Sequence, residues 1–389
     1  MQKETDRMRI GLLGMGTIGS GVYEIVAKRA DMEIARVLDL RPIPGLGGKL
    51  TTRFEDILED KTIDTVVELM GGLEPAHEFV VRALRAGKSV VTANKLMLSH
   101  HYAEVAQAAR DSGAGVRVSA SVGGGIPYLY NLLRARRVDN ILWVGGILNG
   151  TTNLILDTMQ TSGAGFDDVL REAQRLGYAE ADPSSDIDGI DVRSKITIAM
   201  NIAFGGVADT RAVPTEGIRR LTGEDVRQFA RMGRVCRFLA RAERMEDGAV
   251  CACVEPVLLP KGAIEAAVCK NDNIASFEGE YVGVQHFFGQ GAGKFPTAYA
   301  VVEDLRDLLS HPGKSHLRAG EPALKLDGRR VTKRYYLRTA APVEIETEAL
   351  GQAGAGTAYV TAPLSAADMH ALAARLRGID GTTFFAALR

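Results

Sequence analysis

The sequence contains no apolar run approaching the ~18 residues of a membrane span. Uncharged stretches such as 141–156 are broken by Gly, Asn and Thr. The opening MQKETDRMRI mixes charges of both signs and has no apolar signal core, so the first eight residues read as a frayed tail and the chain as cytoplasmic. Four cysteines, none in a C-x-x-C, exclude a disulfide scaffold. Cys251 and Cys253 are spaced for one face of a strand and, with Cys236 and Cys269, read as packed thiols. Charge of one sign is also missing. Lys plus Arg number 47 against 48 Asp plus Glu, which leaves no basic stripe for nucleic acid or an anionic membrane. The seven histidines form no H-E-x-x-H and no cluster along the chain, which speaks against zinc. There is no G-x-S-x-G, hence no hydrolase elbow. No repeat or low-complexity block occurs.

Glycine is plentiful: 43 of 389 residues, which implies many tight turns and close backbone approaches. With 46% hydrophobic and 24% charged residues this is a globular composition, and the length suits two or three domains. Residues 9–14, 33–39, 65–69 and 89–92 read as strands separated by helix-like stretches, the first of them a helix over 22–30. The opening ~120 residues thus read as α/β, a doubly wound parallel sheet. From Tyr128 the rhythm changes. Strands over 140–148, 250–256 and 281–287 mix with helices over 166–176, 192–203 and 296–309, an α+β pattern in which Trp143 reads as core. Residues 310–327 read as a linker. A small tail follows, with strands over 335–338, 358–361 and 383–388 and a helix over 366–377.

Four motifs carry chemistry. Gly14-Met15-Gly16-Thr17-Ile18-Gly19 is a G-x-G-x-x-G between a strand and a helix, the setting in which it binds a dinucleotide. Its glycines allow a tight turn, close approach of a pyrophosphate and helix–sheet packing, with Asp39 placed for the ribose hydroxyls. Asp191 and Lys195 lie four apart on one helix face, after Glu180, Asp182, Asp186 and Asp188. They read either as a solvated i,i+4 pair or, because apolar Ile196, Ile198, Ala199 and Met200 follow, as a lysine tuned for proton transfer. Clustered acids suit a substrate bearing an amine. Thr92-Ala93-Asn94-Lys95 ends a sheet strand, where ligands of open α/β sheets bind. Finally, 122–127 and 289–297 are glycine-rich stretches able to present backbone groups to a ligand or ion, or plain turns.

Taken in order, G-M-G-T-I-G (14–19), T-A-N-K (92–95), S-V-G-G-G-I-P (121–127), G-I-L-N-G-T-T-N (146–153), L-G-Y-A-E-A-D-P (176–183), D-I-D-G-I-D-V-R-S-K (186–195) and G-Q-G-A-G-K-F-P-T-A (289–298) resemble homoserine dehydrogenases over about 300 residues. The resemblance implies NAD(P)-dependent interconversion of L-homoserine and L-aspartate 4-semialdehyde, in threonine, methionine and isoleucine biosynthesis. It implies that Lys195 transfers the proton, that Asp191 orients it, and that Lys95 is a second active-site lysine near nicotinamide and substrate. Glu180 would hold the substrate amino group, with Asp186, Tyr178, Gly150 and Thr151 lining the pocket. Gly14, Gly16, Thr17, Ile18, Gly19, Asp39, Thr92, Lys95 and Gly293 would meet the coenzyme. It further implies a nucleotide-binding domain over 1–128 and 288–320, a catalytic and dimerisation domain over 129–287, an ACT-like region over 331–389, and a homodimer or homotetramer. A different Rossmann amino-acid dehydrogenase, or a catalytically silent dinucleotide sensor, is the alternative.

Three departures from the family pattern stand out. Ser119 replaces a glutamate that helps hold sodium, leaving only the carbonyls of Val122, Gly124 and Ile126. Leu38 replaces an arginine that favours NADP, although Arg41 is close, which tilts the expectation toward NAD. The stretch 344–356 is too short and glycine-rich for the first helix of an ACT domain, so threonine inhibition is expected to be weak or absent.

Overall fold

A computed structural model describes residues 7–389, so most of the expected frayed tail lies outside the described residues. The strands are β1 (Met8–Leu13), β2 (Met32–Leu38), β3 (Leu50–Thr51), β4 (Thr65–Glu68), β5 (Ser89–Thr92), β6 (Val116–Arg117), β7 (Ile141–Ile147), β8 (Arg234–Arg244), β9 (Val250–Pro260), β10 (Asp272–Gly279), β11 (Gly283–Gln290), β12 (Thr332–Lys333), β13 (Tyr335–Thr339), β14 (Thr347–Ala353), β15 (Gly356–Thr361), β16 (Leu364–Ser365) and β17 (Phe384–Leu388). The α-helices are α1 (Thr17–Val26), α2 (Glu55–Leu58), α3 (Ala76–Arg85), α4 (Lys95–Ser112), α5 (Tyr128–Ala135), α6 (Gly150–Ser162), α7 (Phe166–Arg175), α8 (Ser184–Ile187), α9 (Ile190–Phe204), α10 (Gly223–Arg231), α11 (Lys294–Ser310) and α12 (Ala366–Arg377).

These elements form two compact units. One comprises the residues up to Val138, Ile198–Val207 and Gln290–Ala323; the other comprises Asp139–Thr197, Ala208–Gly289 and Leu324–Arg389. The first is built on a parallel sheet of order β3-β2-β1-β4-β5-β6. Ile10, Leu12, Val66, Val67, Val90 and Val91 are fully buried, the near-continuous apolar run of strands covered on both faces. The strand order reverses beside β1, so a crevice opens where the chain after β1 meets the chain after β4. Helix α1 starts at Thr17, not at residue 22 as its glycines suggested. Gly19 and Gly21 belong to the helix because they let it press close: a Cβ on Gly19 would overlap Gly14 O, and one on Gly21 would lie 2.9 Å from the Ala298 Cβ of α11.

The second unit is a nine-stranded sheet, β11-β10-β7-β8-β9-β17-β13-β15-β14. Its spine is the long antiparallel pair β8–β9, whose register runs from Arg234 opposite Pro260 to Arg244 opposite Val250. The last residues of the chain join this sheet. Residues 331–389 do not form a region of their own: β17 pairs in parallel with β9, and β13, β15 and β14 extend the same sheet. Tyr335, Leu337, Met369 and Phe385 share one buried cluster with Leu239 and Val257, so the tail completes the core of this sheet. In the stretch 344–356 the chain forms β14, not a helix. The expected linker 310–327 is tied down as well. Arg117 donates to the carbonyls of His311 and Lys314 and pairs with Asp307 at 2.6 Å, while Val207 bridges to Ala323. Cys236, Cys251 and Cys253 are buried, whereas Cys269 is exposed at a loop and is not a packed thiol.

Candidate active site

In the first unit the G-x-G-x-x-G residues divide their work as their chemistry demands. Gly14 has φ of +91° and sits against Leu69 O, a turn that a side chain would strain. Gly16 has nothing within 4 Å of where a Cβ would lie, so its backbone faces open space. Gly16 is also the N-cap of α1 and supplies no side-chain cap, which leaves the first N–H groups of the helix, from Thr17 and Ile18 onward, available to an anion. Asp39 follows β2 and accepts from Met15 N at 2.9 Å. The Arg41 guanidinium hydrogen-bonds both of its oxygens, and this holds the carboxyl well below the usual carboxylate range.

Beyond β4 and β5 a buried network fixes the loops that rim this crevice. The Thr92 hydroxyl donates to Glu68 Oε2 at 2.6 Å and accepts from Asn94 N at 3.0 Å. Glu68, fully buried, also accepts from Met70 N at 2.9 Å, and burial pushes its carboxyl up. Asn94 caps α4 by accepting from Met97 N at 3.1 Å and donates to Gly72 O at 2.8 Å. The Thr92 hydroxyl is therefore spent inside the protein. Lys95 opens α4 and is half-buried. Gly293 has φ of +117° and caps α11.

The 122–126 loop is tightly packed. A Cβ on Gly124 would lie 2.6 Å from Gly291 O, and the Ile126 carbonyl accepts from Tyr128 N at 2.7 Å. Val122 is buried. Ser119 donates its N–H to Asp304 at 2.8 Å, while its hydroxyl is buried without a partner. Burial pushes the Asp304 carboxyl up to about 7.

In the second unit Lys195 and Asp191 lie on the first turns of α9 and are 8% and 5% exposed, so the solvated-pair alternative fails. The Lys195 ammonium donates to Asp191 Oδ2 at 2.7 Å and to Leu148 O at 2.6 Å. Ile196 beside the lysine is fully buried. Sequence reasoning missed Asn149. It caps α6 by accepting from Thr152 N at 2.8 Å, and its amide donates to Asp191 Oδ2 at 2.9 Å and to Asp186 Oδ1 at 2.7 Å. One side chain thus joins α6 to both carboxylates. An Asn ahead of G-T-T signals the cap, but nothing in the sequence announces the bridge. Thr151 donates to Tyr178 O at 2.8 Å, which brings the 176–183 segment to the N-terminus of α6. Tyr178 and Glu180 are exposed. Gly150 is explained by packing, since a Cβ there would lie 2.5 Å from Asn271 O.

Comparison with known proteins identifies this arrangement. Residues 14–119 match the family model "Homoserine dehydrogenase, NAD binding domain" and residues 127–305 match "Homoserine dehydrogenase". The chain is 39% identical to the homoserine dehydrogenase of Pseudomonas aeruginosa over 78% of its length and 72% of the relative's. It superimposes on a homoserine dehydrogenase from Thiobacillus denitrificans with a TM-score of 0.86 and 35% identity, covering 98% of each chain. A hyperthermophilic archaeal homoserine dehydrogenase in complex with NADPH aligns over 79% of this chain and 99% of its own, with a TM-score of 0.68 and 26% identity. These matches span both units, and the chain belongs to the homoserine dehydrogenase family of NAD(P)-dependent oxidoreductases.

Proposed function

We propose that the protein interconverts L-homoserine and L-aspartate 4-semialdehyde, with Lys195 as the residue that moves the proton. The observation that carries this is the buried Lys195 ammonium, held by Asp191 and the Leu148 carbonyl. When bound, the dinucleotide supplies the hydride for reduction and takes it back in oxidation. Lys195 donates a proton to the carbonyl oxygen as that oxygen gains charge, and in the reverse direction accepts it from the hydroxyl. Asp191 supports the lysine's charge, and Asn149 fixes Asp191. The exposed Glu180 and the half-buried Asp186 supply negative charge for the substrate ammonium. Lys95 serves as a second positioning cation.

The Gly14–Gly19 turn fits a dinucleotide pyrophosphate. Asp39, ionised and at the end of β2, suits the two ribose hydroxyls of NAD; a 2′-phosphate would need Arg41 to leave it. At the 122–126 loop a sodium ion would have only the carbonyls of Val122, Gly124 and Ile126 to rest on. Position 119 brings no carboxylate, and Asp304 accepts from Ser119 N. With a strand where an ACT domain has its first helix, inhibition by threonine is weak or absent. Self-association runs through the second unit, where the edge strand β11 exposes Val284 and Phe288 and the turn before it exposes Tyr281. Among the described residues no helix is long and apolar enough to cross a membrane.

The test is absorbance of reduced nicotinamide after mixing the protein with L-homoserine and each oxidised coenzyme in turn. Homoserine-dependent reduction, with NAD equal to or better than NADP, is expected. No signal with either coenzyme overturns the activity, and a tenfold preference for NADP overturns the coenzyme choice alone.

A further inference from the structure

Glu68 ends β4 and is fully buried, on a strand whose other members, Thr65, Val66 and Val67, are buried too. A valine there would pack without loss, whereas taking a carboxylate out of water is costly unless its oxygens are bonded. Its partners among the described residues are four uncharged donors. Oε1 accepts from Met70 N at 2.9 Å, from Gly71 N at 3.3 Å and from the Asn94 side-chain amide at 3.4 Å. Oε2 accepts from the Thr92 hydroxyl at 2.6 Å. A polar group kept against the local rule of its strand is what a functional position looks like.

The four donors come from two segments that lie beyond the carboxyl ends of parallel strands, where open α/β sheets bind their ligands. Met70 and Gly71 begin the loop after β4. Thr92 ends β5, and Asn94 caps α4, whose first residue is Lys95. A third segment rests on the first. A Cβ on Gly14 would lie 2.9 Å from Leu69 O and 3.1 Å from Met70 N, so the turn after β1 is seated on the backbone that Glu68 holds. The other side of the loop is open: Gly71 has φ of +74° and nothing within 4 Å of where a Cβ would lie. A backbone that bends into open space is fixed from behind, here by Glu68 and by the Asn94 amide, which also donates to Gly72 O at 2.8 Å.

We propose that Glu68 is a positioning residue of the coenzyme site: its carboxylate ties the loop after β4 to the start of α4, and through that loop supports the glycine turn, in the form that receives the dinucleotide. It acts through the backbone of Met70 and Gly71 and through Thr92 and Asn94. A crevice set in advance spares the ligand the cost of ordering its loops, so the anchor is read in coenzyme affinity. The inference rests on coenzyme binding by this unit and not on the role given to Lys195.

The experiment is titration of the full chain with NADH and, separately, NADPH, followed by the fluorescence of the reduced nicotinamide, with a melting curve on each preparation. Glu68→Met keeps the length of the side chain and leaves the four donors without their oxygens. It should raise the dissociation constant of the tighter coenzyme tenfold or more. Glu68→Gln keeps one oxygen and should fall between that variant and wild type; it carries the test if Glu68→Met does not fold. Thr92→Val should weaken binding by itself but add less than twofold on top of Glu68→Met, because residues of one network do not act additively. Val66→Ala, a cavity in the same strand, should lower the melting temperature and leave the dissociation constant within twofold. Wild-type affinity in both Glu68 variants overturns the proposal alone, and so does a loss in Val66→Ala equal to that in Glu68→Met. A wild type that binds neither coenzyme overturns the coenzyme reading and the proposal with it.

Discussion

The candidate residues of the two units are of different kinds. The nucleotide-binding unit works through backbone: a turn at Gly14, open N–H groups at the start of α1, and glycines that admit close contact. The second unit instead carries a sheltered ion network, in which Lys195, Asp191, Asp186 and Asn149 bond one another at 2.7–2.9 Å. A backbone site is sensitive to added atoms and indifferent to charge. A buried ion network has the opposite sensitivities, because an unpaired charge costs more than a small cavity.

Substitutions that keep shape and remove charge should therefore be severe in one unit and mild in the other. Asp191→Asn should be the most damaging, since it leaves the Lys195 ammonium buried without its counter-charge. A loss of about 3–5 kcal/mol is the scale for breaking such a pair, read by chemical denaturation at pH 7. A loss below ~1 kcal/mol would mean that the pair behaves as a surface contact and would erase the contrast. Next come the glycines. Gly19→Ala should destabilise the first unit by about 1–3 kcal/mol, the range for forced overpacking, whereas Gly16→Ala should unfold no more easily than wild type and yet bind the coenzyme less tightly. Equal effects on folding at the two positions would show that the Gly16 backbone is not facing open space.

A third effect concerns pH. The Asp304 carboxyl is raised in the fold to about 7 from an ordinary 3.8, because burial disfavours its charge. A raised acid contributes stability that is complete below pH 3.8 and is lost as pH rises through about 7. The wild type should lose up to ~1.4 kcal/mol per pH unit in that window, and Asp304→Asn should remove this slope. Melting curves at pH 5 and pH 8 decide it, and an unchanged slope in the variant would place the titration elsewhere.

Much of this was legible in the sequence, and the limits have physical causes. Alternation of strand and helix, the G-x-G-x-x-G turn and the i,i+4 spacing of Asp191 and Lys195 are local patterns, and the structure follows them. The start of α1 was misjudged because Gly19 and Gly21 weaken a helix in isolation, while contacts to Gly14 O and to α11 reward them in the fold. The pairing of β17 with β9 joins residues about 130 apart, and no local pattern encodes a partner at that distance. The same holds for the Asn149 bridge and the Thr92–Glu68 bond. Each joins residues that are ordinary one by one and chemically specific only together.

The central claim is that Lys195 moves the proton, and Lys195→Ala tests it most directly when turnover of homoserine and coenzyme affinity are measured on the same preparation. Turnover should fall by a factor of ~100 or more while the dissociation constant of the coenzyme, titrated by fluorescence, stays near that of wild type. A variant that still turns over at close to the wild-type rate would contradict the account.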